Sequence, residues 1–261
     1  MFDRFKSTIT SITSTFTHIL FGPSMAHPDL IPKIPQHVKL YTATLFLLSR
    51  NGGTTEMESW KVEKVQHLKS TKLSLHKSLI AHLANLEQKK MCFVFERVGG
   101  KITSDGPSST GLESPVSVQR SKSLSFCQDL SASDIVFLFN GSGLPKDTEV
   151  VGTLTFTDAQ DRPSLLDLAL LAQAVHNAQP SYLLFSDNCY HFSGTMIYVL
   201  ESKYNSAITM AGTAGKWHGI DLGEPTPTKV ADLRSQWEAQ IAEFVSCFLC
   251  WVINYWTNDG L

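Results

Sequence analysis

No stretch of this sequence holds the roughly 20 consecutive apolar residues that a bilayer-spanning helix requires. Residues 1–21 do not read as a secretory leader either. Phe2, Phe5, Ile9, Ile12, Phe16, Ile19 and Leu20 form one helical stripe there, without a continuous apolar core. An excess of charge is also missing: 22 Lys and Arg against 24 Asp and Glu leave a net −2. With no basic stripe, zinc spacing or nucleic-acid motif, nothing favours a polyanionic partner. Cysteine is scarce. The five are Cys92, Cys127, Cys189, Cys247 and Cys250. An odd, sparse set in a chain this long indicates reduced thiols and a cytoplasmic setting rather than a disulfide framework. Cys247-x-x-Cys250 has no partner pair and lies in an apolar helical run, so it reads as packing. Gly141-Ser142-Gly143 follows a strand pattern but is too short for a dinucleotide fingerprint. No metal or organic cofactor is expected.

The apolar residues present are enough for one substantial core. Residues 1–35 read as an amphipathic helix and a rigid linker marked by Pro23, Pro28, Pro32 and Pro35. The polar face of that helix is mostly Ser and Thr, with Arg4, Lys6 and Asp3. It suits either a membrane surface or targeting segment, or a cover for an apolar groove on its own domain. Residues 36–227 form the core, with a Ser-, Gly- and Pro-rich surface insertion at about 99–122. Residues 228–261 form a long helix. Its first part carries Val230, Leu233, Trp237 and Ile241 as a stripe, and residues 244–256 are apolar nearly all round. That end reads as interfacial or protein-buried, with a partial membrane anchor as the alternative.

Within the core, residues 38–49 read as a strand and 56–68 carry no decisive period. Residues 76–83, 85–90 and 91–98 read as strand, turn and strand, together a hairpin. Two further strands lie at 135–140 and 150–157. Ser164-x-x-Asp167 resembles a capping box, with Asp in the usual Glu or Gln place, and opens a helix to about residue 177. A short buried strand follows at 182–185. Residues 208–227, with Trp217, read as a loop forming one wall of a substrate site.

Between that short strand and the loop lies the stretch with the clearest chemistry. Ser186, Asp187 and Asn188 supply start-of-helix side chains, and Cys189, Phe192, Met196, Val199 and Leu200 fall on one helical face. Cys189 is thereby placed in a first turn, facing the fold. There the helix dipole favours a thiolate, and first-turn amides of Cys189 and a neighbour could hold an oxyanion. A buried, inert cysteine is the plainer reading of the same pattern.

Asn188-Cys189-Tyr190-His191-Phe192 resembles the Asn-Cys-x-His-Phe box of the lecithin:retinol acyltransferase-like proteins, in the circularly permuted branch of the NlpC-type, papain-fold cysteine hydrolases. The wider setting, a leucine-rich helix followed by Pro-x-Tyr-x-Leu and Asn-Cys, is similar to uncharacterised fungal members. The resemblance covers about residues 70–205 and neither terminus. It implies an α+β, papain-like core with an antiparallel sheet packed on the nucleophile helix. It also implies a catalytic His upstream of the Cys, opening the first strand of a hairpin.

His76 holds that position, with His82 and His67 as the other candidates. Hairpin pairing would bring Glu96 and Arg97 near His76, and Glu96 is the better choice to orient an imidazole. His191 is given a packing role. The expected function is thiol-dependent hydrolysis or acyl transfer, with Cys189, His76 and Glu96 catalytic. The substrate would be a small-molecule, lipid or peptide amide, ester or thioester. A non-catalytic interaction module on the same fold and a peripheral membrane protein, touching the bilayer through its terminal helices, are the alternatives.

Overall fold

The computed structural model describes residues 35–49, 54–71, 77–99, 130–139, 143–159, 161–182, 188–204, 206, 208–211, 216–217, 220–221 and 224–258. The expectations for residues 1–34, for the 99–122 insertion beyond residue 99, and for His76 therefore fall outside it. So does most of the strand expected at 182–185.

Residues 38–49 depart from their sequence reading: Val38–Leu48 is a helix, α1. Its buried residues Val38, Tyr41, Thr42, Leu45 and Leu48 recur at three and four positions, a period that a strand cannot place on one face. His37 caps the start by accepting the Lys39 amide at 3.2 Å. The Thr42 hydroxyl donates to the Val38 carbonyl one turn back at 2.9 Å. The aromatic and β-branched content that suggested a strand is overridden by packing. A short helix, α2 (Thr54–Ser59), follows.

The sheet is built from β1 (Gln36–His37), β2 (Lys61–Ser70), β3 (Lys77–Ala84), β4 (Lys90–Gly99), β5 (Leu130–Leu138), β6 (Thr148–Thr155), β7 (Ser181–Tyr182) and β8 (Ile208–Met210). Seven strands run in the order β1-β5-β4-β3-β2-β6-β8, and β7 pairs with β5 off that path. All these pairings are antiparallel. The expected hairpin is β3–β4. Asn85 holds its turn by accepting the Lys89 amide at 2.9 Å on its side chain, and Gln88 takes φ 60°. The register pairs Ser78 with Glu96 and His82 with Cys92. Residues 208–227 hold β8 and the small pair β9 (Lys216–Trp217) and β10 (Ile220–Asp221) rather than a plain loop.

Three longer helices complete the fold: α3 (Leu165–Ala178), α4 (Cys189–Tyr204) and α5 (Pro227–Asn258). Ser164 and Asp167 form the full reciprocal capping box at the start of α3. Alternation along the strands separates two faces. Leu79, Ala81, Phe93, Phe95 and Val136 join one core with Leu168 and Val175 of α3, Phe192 and Met196 of α4, and Leu233 and Trp237 of α5. Each large side chain buried there contributes about 1.5–3 kcal/mol before ordering costs. Leu68, Ile80 and Val94 form a second cluster, against Cys92, Phe137, Phe139 and Val150. The expected stripe of α5 is present, and its Trp237 indole donates to the Asp167 carbonyl at 2.9 Å. No helix among the described residues is long and apolar enough to cross a membrane.

Candidate functional site

The start of α4 is fixed by Asn188. Its side-chain oxygen accepts the amides of Tyr190 at 2.9 Å and His191 at 3.1 Å, and its carbonyl accepts the Phe192 amide at 3.1 Å. Cys189 is the first residue after this cap, as the Asp-Asn-Cys sequence led one to expect. Of the first-turn amides, that of Tyr190 is engaged by the Asn188 side chain.

Cys189 is 2% exposed, the burial of a packing residue. Its sulfur nevertheless has a polar partner from the hairpin: the Lys77 backbone N–H donates to Cys189 Sγ at 3.3 Å. His76, the residue that the resemblance makes the base, directly precedes Lys77 in the chain but lies outside the described residues.

The Lys77 side chain is itself buried, at 3% exposure. Its Nζ sits 3.9 Å from the centroid of the Tyr190 ring and has no hydrogen-bond acceptor. Burial pushes its pKa down to about 8, with a smaller repulsion from Lys69, while attraction to Cys189 and, less strongly, to Glu149 opposes that shift. Sequence reading passed over this residue. The available signal was a cation beginning a strand that is otherwise apolar on the core face.

His67 lies on the same face of the sheet, stacked on Tyr190 with ring centroids 5.3 Å apart. The Ser193 hydroxyl donates to the Cys189 carbonyl at 2.8 Å. It lies 2.9 Å from His67 Nε2, so it accepts the Nε2–H and fixes the ring as that tautomer. His67 Nδ1 is then a buried acceptor with no partner. Desolvation, with a smaller repulsion from Lys77, drives the ring pKa down to about 3. A neutral, wholly buried ring of this kind ties α4 to β2.

Glu96 is buried and stands opposite Ser78, on the face shared with Ile80 and Val94. By alternation its side chain lies across the sheet from Arg97, which reaches α4 with its guanidinium carbon 5.1 Å from the Phe192 ring centroid. The register thus does not bring Glu96 to the Cys189 face. His191 is half-buried beside Tyr190, with ring centroids 6.3 Å apart.

A second thiol contact lies on the face of β3 that Glu96 shares. Cys92 Sγ is 3.3 Å from His82 Nδ1, and His82 Nε2 is 2.7 Å from Gln66 Oε1. Gln66 accepts, so Nε2 carries the proton and Nδ1 receives the Cys92 S–H. Desolvation first, with smaller repulsions from Lys64 and Lys90, lowers His82 to about 4, and desolvation raises the Cys92 thiol. Both shifts favour a neutral thiol–imidazole pair. The sequence signal was symmetry: residues 82 and 92 stand directly opposite across the hairpin.

Arg97, Asp134 and His176 form a buried polar network. Arg97 Nε and Nη2 donate to the two Asp134 oxygens at 2.7 Å each, and His176 Nδ1 is 2.7 Å from Asp134 Oδ2. His37 packs edge-on against His176, with ring centroids 4.7 Å apart. The group joins β4, β5 and α3 beneath α4. Among the described residues no group of three or more His, Cys, Asp or Glu side chains could hold a metal ion. No family model, curated protein or solved structure matches the chain.

Proposed function

We propose that the chain is a thiol-dependent hydrolase or acyltransferase on a permuted papain-like core, with Cys189 as nucleophile and His76 as its base. The observation that carries this reading is the 3.3 Å contact between the Lys77 amide and Cys189 Sγ, which supports a juxtaposition of the hairpin start with the nucleophile helix. The imidazole takes the Cys189 proton as sulfur attacks the carbonyl of an amide, ester or thioester. The proton then passes to the departing amine, alcohol or thiol, leaving a thioester on sulfur. Water, or an acceptor amine or alcohol, gives its proton to the imidazole and displaces the acyl group, which restores the thiol. Acyl substrates of small-molecule, lipid or peptide type fit this chemistry equally.

The Cys92–His82–Gln66 contact favours a second reading, in which the working thiol is on the other sheet face. Nucleophile, base and orienting amide are in hydrogen-bond reach of one another there. The neutral electrostatics of that pair make it the weaker nucleophile. Steady-state hydrolysis of an activated ester separates the readings. Cys189→Ser and His76→Ala should abolish turnover, whereas Cys92→Ser and His191→Ala should retain it. Turnover that survives in Cys189→Ser and disappears in Cys92→Ser would move the chemistry to Cys92. No thiol-dependent turnover in the full chain would favour a non-catalytic interaction module.

A further inference from the structure

We propose that the Lys77 ammonium is the counter-ion that holds Cys189 as a thiolate, making Lys77 a positioning residue for the nucleophile; this rests on the Cys189 reading above. The argument begins with burial. A lysine that is 97% removed from solvent by its 3% exposure, and has no acceptor for Nζ, is a costly group for a folded chain to keep. Its one described contact for the charge is the face of Tyr190, at 3.9 Å from the ring centroid. Tyr190 is the residue next to Cys189, and the amide of the same lysine is on the sulfur. Both polar groups of Lys77 thus converge on the first turn of α4.

Among the described residues, the surrounding charges leave the thiol as the natural partner. On β2, His67 is neutral and turned to Ser193, and Lys69 is drawn to Glu149 of β6 at 3.6 Å. On β4, Arg97 is neutralised by Asp134 of β5 at 2.7 Å. On α4, Tyr190 and His191 bring no anion at neutral pH. A thiolate at Cys189 would complete Lys77, and Lys77 would in turn stabilise that thiolate against the desolvation that burial imposes. The reciprocal attraction appears in the Lys77 pKa, which Cys189 raises against burial.

The test is a pH titration of far-ultraviolet thiolate absorbance on the full chain, with Cys189→Ser subtracted to isolate the Cys189 step. Lys77→Met should move that step upward by about 1–3 pH units, with an about tenfold or greater loss of thiolate at neutral pH. Lys77→Arg should keep it near its original position, because the charge is retained. Lys77→Gln serves as the uncharged variant should Lys77→Met fail to fold, as judged by a cooperative melt. A step that is unmoved in the uncharged variant overturns the proposal. So does a full-chain step no lower than the about 8.5 of an ordinary thiol. The two claims fail separately. Acylation of Cys189 by p-nitrophenyl acetate with an unmoved step sinks the counter-ion role alone. A step that moves without any acylation supports the ion pair and sinks the acyl-enzyme reading.

Discussion

His67 Nε2 and Ser193 Oγ stand 2.9 Å apart in a fully buried pair that ties α4 to the sheet. Removing the hydroxyl would leave the imidazole with two unpartnered nitrogens, since Nδ1 already lacks a partner. Ser193→Ala should therefore cost about 1–3 kcal/mol in chemical denaturation. It should leave the reactivity of Cys189 unchanged once folding is accounted for. Loss of that reactivity with little loss of stability would make His67 a participant in the chemistry.

The same residue sets a pH dependence. Its folded pKa, about 3, lies below the ordinary 6.5. As pH falls below 6.5 the unfolded chain takes up a proton that the folded chain refuses, so stability drops across the window from 6.5 to about 3. His67→Phe should flatten that acid limb in a series of thermal melts, apart from what carboxylates contribute. An unchanged slope would show that the folded ring takes up its proton as readily as the unfolded one.

Lys77 predicts a trade of function for stability. Its folded pKa near 8 lies below the ordinary 10.5, so burying the charge costs stability at neutral pH, and the cost fades as pH rises from 8 to 10.5. Lys77→Met should raise stability by about 1–2 kcal/mol at neutral pH, allowing for partial solvation of the charge. The gain should shrink in alkaline buffer. A destabilised Lys77→Met protein would mean that the Tyr190 contact and stem packing outweigh the buried charge.

Asp134 neutralises a wholly buried guanidinium. Asp134→Asn should cost about 3–5 kcal/mol, because Arg97 keeps its charge without compensation. The double change Arg97→Met with Asp134→Leu should cost much less than the two single changes summed. Additive losses in a denaturation cycle would contradict a coupled pair.

Much of this organisation was legible in the sequence, and the reasons are local. The Asn188 cap before Cys189, the Ser164 and Asp167 pair, the hairpin turn at 85–90 and the Trp237 stripe all depend on neighbours within one or two turns. Residues 38–48 were misread because an apolar run with aromatics suits either period, and only packing decided it. Asp134, Arg97 and His176 come from three separate elements, so their meeting depends on register and helix docking that no local pattern encodes. Lys77 carried a weak signal: a cation at the core-facing start of an apolar strand costs stability unless something there uses it. Glu96 follows from hairpin pairing and from the ability of a carboxylate to orient an imidazole. The pairing is present, but alternation directs its side chain to the other face.

The most direct measurement is peptide mapping by mass after brief exposure of the folded chain to an activated ester. The account predicts that the acyl group is found on Cys189 and is released by hydroxylamine as a thioester. It also predicts that the adduct is absent in His76→Ala, while that variant still melts cooperatively. Exposed Cys247 should stay unacylated on this timescale despite its better access. An acyl group found first on Cys92 or Cys247, with Cys189 unmodified, would contradict the account.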